Sequence, residues 1–168
     1  QKLYADFYEP YQDTMHTRPL FIFAHGGGFV EGSRKGPSHI PMLCERLAKK
    51  GYVTASISYR LDPRFNIFKS DSDRKVMTDA MHDMRAAIRF FKANWQKYRI
   101  DTNNIFISGE SAGAAAAMMA GYVDKQKELT TYPGTDPDNI EGNSGTPGHT
   151  SNVKAVLCLC GLLLDTSA

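Results

Sequence analysis

The sequence predicts an α/β fold, a mostly parallel sheet with helices on both faces. Three observations carry that expectation. Short apolar runs alternate with stretches whose apolar residues recur every three or four positions, the pattern of strand–helix–strand units with parallel pairing. The runs lack polar alternation, as strands covered on both faces do. Two glycine-rich turns, Gly26–Gly28 and Gly109–Gly113, stand directly at the ends of such runs. The size fits one domain: 168 residues, 42% hydrophobic and 23% charged, are enough to bury a core. This excludes a disordered chain or a disulfide-stapled miniprotein.

The elements follow in order. Tyr4–Tyr8 reads as a strand that stops at Glu9-Pro10, and Pro19–Ala24 as a strand buried on both faces. Ser38 is placed to cap a helix running to about Lys50, closed by Gly51. Tyr52–Tyr59 is β-branched and bounded by turn residues, a strand. Leu61–Ser70 is a loop containing Pro63. A long helix then covers roughly Asp71 to Lys97, with Met77, Ala80, Met81, Met84, Ala87, Ile88, Phe91 and Trp95 on its buried stripe. Asp79 and Asp83 lie one turn apart on that helix and are expected to be solvated or paired with an Arg or Lys. Ile105–Ser108 is a short buried strand, followed by a tight turn and an Ala- and Met-rich helix, Ala114–Val123. Residues 130–152 form a long polar loop, of the kind that is functional or mobile. Val153–Cys160 is a last buried strand. Its C-x-C puts Cys158 and Cys160 on one face, where two reduced core thiols are expected, with a disulfide or a metal site as alternatives.

Composition also bounds the partners. The net charge of +2 is too balanced for a dedicated nucleic-acid surface. The longest apolar run, Ala155–Leu164, is far short of a membrane span. Gln1-Lys2-Leu3-Tyr4 is neither an initiator Met nor a signal peptide. It reads as a trimmed start that has lost any targeting signal, so secretion and a periplasmic location both stay open.

Two motifs carry chemistry. Gly109-Glu110-Ser111-Ala112-Gly113 is G-x-S-x-G between a buried strand and a helix. A turn that sharp presents Ser111 Oγ at the carboxyl end of the strand and tolerates only small neighbours. The helix that follows aims its first N–H groups at the same point. The second motif is His25-Gly26-Gly27-Gly28, directly after the strand Pro19–Ala24. Successive glycines let backbone N–H groups converge on one cavity. A phosphate loop is the rival reading, but no G-K-[ST] follows and the spacing fits no dinucleotide fingerprint.

With His25–Phe29, Gly109–Gly113, the Tyr59-Arg60 pair and the Asp83–Phe90 helix segment, the sequence resembles α/β-hydrolase esterases of the carboxylesterase and hormone-sensitive-lipase type, over most of residues 3–165. The resemblance implies an α/β-hydrolase sheet and hydrolysis of small-molecule carboxylic esters through an acyl-serine intermediate, without cofactor or metal. It implies Ser111 as nucleophile, the N–H groups of Gly27, Gly28 and Ala112 as oxyanion hole, and His25 as a support of the glycine loop rather than the base. A peptidase or amidase of the same fold, and a hydrolase-like binding domain with a dead site, are the alternatives.

The chain departs from that pattern after Ser111. The family triad runs Ser, then Asp or Glu, then His, yet only His149 follows Ser111, with Asp124, Asp136 and Asp138 before it and Asp165 after. At roughly 30 residues per strand-plus-helix unit, an eight-stranded sheet needs about 240. The expectation is an N-terminal portion whose C-terminal strands, acid and base lie in a further segment. His149 is a minor candidate for the base. His16, His39 and His82 read as surface or packing residues.

Overall fold

The computed structural model describes residues 2–36, 39–66, 71–124 and 139–161. Its elements are β1 (Ala5–Tyr8), β2 (Arg18–Ala24), α1 (Ile40–Ala48), β3 (Val53–Ile57), α2 (Asp71–Ala93), α3 (Trp95–Tyr98), β4 (Ile100–Glu110), α4 (Ala112–Tyr122) and β5 (Ala155–Leu159). They make one five-stranded sheet in the order β1-β3-β2-β4-β5. Only β1 runs antiparallel, against β3. The other pairs are parallel, as strands joined through helices must be.

Helices cover both faces. Between α1 and the sheet, Ile40 and Cys44 of α1 pack on Phe23 of β2, with Tyr8, Phe21, Leu43 and Leu47 around them. The opposite face carries the larger core, where Leu20, Ile22, Ala55 and Ile107 meet Met81, Met84 and Ile88 of α2 and the alanines of α4. Each fully buried Leu or Ile there contributes about 1.5–3 kcal/mol. α4 has almost no polar side, and Ala112 through Ala117 are all buried. Small side chains let this helix lie close against β4.

Four local expectations change. The helix expected to reach Lys97 breaks at Asn94, whose side-chain amide donates to the Phe90 carbonyl at 2.8 Å. Trp95 therefore leaves the buried stripe and is 42% exposed. Cys158 and Cys160, expected in the core, are exposed, because β5 is an edge strand whose outer side no described residue covers. The cap position of α1 is held by His39, without a side-chain hydrogen bond; Ser38 lies outside the described residues. The polar loop is described from residue 139, and there it is strapped down rather than loose. Arg85 donates to the carbonyls of Ala120 and Ile140, and Arg89 to those of Glu141 and Ser144. Glu141 pairs with both guanidinium groups and accepts from Ser151.

Candidate active site

β2 and β4 are neighbours in the middle of the sheet, in a parallel register that ends at Ala24 opposite Gly109. The residues that follow each strand therefore emerge side by side. After β2 come His25 to Gly28; after β4 come Glu110 and Ser111. A Cβ built on Gly26 would stand 3.2 Å from the Glu110 carbonyl oxygen and 3.5 Å from Ser111 Cβ. The two motifs are in contact through their backbones.

Ser111 is exposed and has φ 52° and ψ −114°, a conformation that L residues avoid. Its neighbours explain how it is held. A Cβ on Gly109 would meet the Gly113 carbonyl carbon at 2.3 Å, and one on Gly113 would meet the Ala24 carbonyl oxygen at 2.3 Å. Neither site tolerates a side chain, so the turn closes only with glycine there. The Ser111 amide donates to the Leu159 carbonyl at 2.9 Å, which anchors the turn to β5. Ala112 opens α4, so its N–H belongs to the unpaired first turn at the positive end of the helix.

The glycine loop has its carbonyls pinned. His25 Nδ1 lies 2.7 Å from the Gly26 carbonyl oxygen. A carbonyl only accepts, so Nδ1 carries the proton. The Gly27 carbonyl accepts from the amides of Val30 and Glu31, both at 3.1 Å. In a planar trans peptide the N–H points opposite to the C=O. The Gly27 N–H is therefore turned away from the His25 ring, and the Gly28 N–H away from the Val30–Glu31 turn. Neither amide donates to a backbone carbonyl among the described residues. Gly27 has φ 118° and Gly28 φ 62°, conformations that favour glycine. A Cβ on Gly27 would also fall 2.1 Å from the Glu31 carbonyl oxygen.

The histidines divide by position. His25 is 1% exposed, with its ring stacked on Tyr59 at 4.5 Å, and burial lowers its pKa below the usual imidazole value. It is a neutral brace. His149 is exposed and sits just before Thr150 and Asn152, which bind Lys92 Nζ, and Lys154, whose amide donates to Ile105. That segment meets β4 at Ile105, six residues before Ser111 and about 20 Å along the strand at 3.3 Å per residue. His149 belongs to the opposite end of the sheet from Ser111, which removes it as the base. His39 Nδ1 stands 3.8 Å from Glu110 Oε1 on the rim. Asp136, Asp138 and Asp165 lie outside the described residues. No group of three or more His, Cys, Asp or Glu among the described residues is arranged to hold a metal ion.

Asp79 and Asp83 take the paired reading. Asp83 is 3% exposed and accepts from Arg60 Nε and from the Arg60 amide at 2.8–3.0 Å, while Asp79 pairs with Arg60 and Lys75. Burial pushes the Asp83 carboxyl up against the lowering effect of Arg60. Arg60 and Asp83 also line a cavity of about 360 Å³ between β1, β3 and α2. Its charged side chains already bind each other, and it carries no nucleophile beside a base.

The profile of the BD-FAE family matches residues 5–163. Esterase LipC of Mycobacterium tuberculosis is 32% identical over 131 residues, which are 76% of this chain and 30% of that protein. Juvenile hormone esterase of Heliothis virescens is 31% identical over 121 residues, 68% of this chain and 21% of that one. Among solved structures, the propionate-bound esterase Est2 of Thermogutta terrifontis superposes with a TM-score of 0.68 at 24% identity, covering 96% of this chain and 50% of that chain. The same esterase phosphorylated by paraoxon gives 0.70 at 23% identity, covering 96% and 53%. The fold is the α/β-hydrolase fold, and the chain spans at most about half the length of these relatives.

Proposed function

Because the chain belongs to the BD-FAE family, we propose that it is the nucleophile-bearing portion of a serine hydrolase that cleaves carboxylic esters. The observation that carries this is the exposed Ser111 on its strained turn, in backbone contact with a loop whose Gly27 and Gly28 amides donate to no backbone carbonyl among the described residues. Ser111 Oγ attacks the ester carbonyl, and the tetrahedral oxyanion is received by the N–H groups of Gly27, Gly28 and Ala112. The alcohol leaves, and water then releases the acid from the acyl-serine. Each oxyanion donor is worth about 100- to 1,000-fold in rate. The acid and the base come from a further segment that completes the sheet beyond β5. Propionate and butyrate bound to Est2 favour short acyl groups. The phosphorylated forms of that enzyme favour an organophosphate probe.

Intact mass of the protein carrying the completing segment, after incubation with a fluorophosphonate, tests the assignment. The expected result is one adduct, absent in Ser111→Ala. A folded protein that takes no adduct, or an adduct that persists in Ser111→Ala, rejects it. Turnover of amides but not esters by the unlabelled enzyme would replace esterase by amidase. A family member used only for binding would take no label at all.

A further inference from the structure

The His25–Phe29 loop is held from outside by the segment that follows β3. Tyr59 Oη donates to the His25 carbonyl at 2.8 Å, and the Tyr59 ring stacks on the His25 imidazole at 4.5 Å and 23°. The Asp62 amide donates to the Phe29 carbonyl at 3.0 Å. Phe65 meets Phe29 edge to face at 5.5 Å. The segment thus grips the loop at its first and last residues and leaves Gly26, Gly27 and Gly28 between. Its own position is fixed by Arg60, whose main-chain and side-chain nitrogens are both bound to Asp83 of α2.

We propose that Tyr59 is a positioning residue for the oxyanion hole, acting through His25. The inference rests on the ester-hydrolase reading. The chain of contacts is short. Tyr59 fixes both the carbonyl and the ring of His25. The ring, through Nδ1, fixes the Gly26 carbonyl. The Gly26 carbonyl shares a rigid peptide with the Gly27 N–H and sets where that donor points. Tyr59 is 3% exposed, and burial raises the pKa of its hydroxyl, so it stays a proton donor throughout the working range. Tyr59→Phe keeps the ring and removes only the hydroxyl. The His25 carbonyl is released while the ring contact stays, and with that backbone anchor gone the Gly27 donor is free to swing.

The test compares an ester with its thionoester. A thiocarbonyl sulfur is larger and a poorer hydrogen-bond acceptor, so it draws less on well-placed N–H donors. In Tyr59→Phe, kcat for the ester should fall about 10- to 100-fold, with KM within about twofold. The thionoester rate should fall much less, so that the ester-to-thionoester ratio collapses. Phe65→Ala, at the partly exposed outer end of the grip, should lower the ratio in the same direction, and it decides the matter if Tyr59→Phe does not fold. Tyr122→Phe, on an exposed ring of α4, is the control. An unchanged ratio in both variants, or an equal fall for both substrates, overturns the positioning role while leaving the hydrolase reading intact. A wild-type protein that carries the completing segment and still shows no Ser111-dependent turnover instead removes the hydrolase reading itself, and this inference with it.

Discussion

At Ser111 the backbone conformation and the side chain make opposite demands. The positive φ of 52° costs about 1–3 kcal/mol for a residue with a Cβ, and only the hydroxyl gives a reason to bear it. Ser111→Gly should therefore melt at a higher temperature than Ser111→Ala, although both lack the hydroxyl. Thermal unfolding of the two variants side by side measures the strain, and equal melting points would show that the turn is relaxed. The neighbours respond in the opposite sense. At Gly109 and Gly113 an added methyl would meet backbone, which cannot rotate aside. Gly109→Ala should lose about 3 kcal/mol of stability, read as a lower denaturant midpoint at unchanged slope. Gly51→Ala, where a Cβ would meet nothing within 4 Å, carries only the cost of its φ of 95° and should be milder. Cysteines are graded by the same local logic. Burial raises the Cys44 thiol to about 12, so alkylation at neutral pH should spare it until the protein is unfolded.

Between elements, α2 acts as a clamp. Arg85 reaches the end of α4 through the Ala120 and Val123 carbonyls, and the 139–144 segment through Ile140 and Glu141. Arg85→Met would leave several carbonyls without a donor, at about 1–3 kcal/mol each where buried. Glu141→Gln keeps the carbonyl contacts and should cost less; a reversed order in urea unfolding would contradict the clamp. None of this was legible in the sequence, since Arg85 and Glu141 lie far apart along the chain and nothing local pairs them. The strands were legible because an apolar run bounded by turn residues has few other uses, and the two motifs because each stands at a strand end. The break at Asn94 was hidden within a continuing apolar period. The exposure of Cys158 and Cys160 was hidden because sequence gives a strand's apolarity but not its rank in the sheet. Tyr59-Arg60 was visible as a pair, yet its role needed the fold: one residue turns to the His25 loop and the other to α2.

For the molecule as a whole, pH acts most through His82, with the buried His25 adding in the same direction. Burial first, and then the positive charge of Arg60, lower the His82 pKa from 6.5 to about 4. Gly142 lies so close over the ring that a Cβ there would stand 2.5 Å from it. Because the folded state holds fewer protons than the unfolded chain between those two values, stability rises with pH there. It is full above about 6.5, declines as pH falls toward about 4, and changes little from this group below that. Melting temperatures across that window should show the slope, and His82→Gln should reduce it. The sheet order has a different kind of consequence. Both motifs ride on β2 and β4, whose mutual position is set by main-chain hydrogen bonds in a fixed register. Their alignment thus depends little on which residues lie between them in the chain. Insertions between β3 and α2 should leave Ser111 and the glycine loop facing each other, so evolution or an engineer can lengthen that connection without pulling the two turns apart.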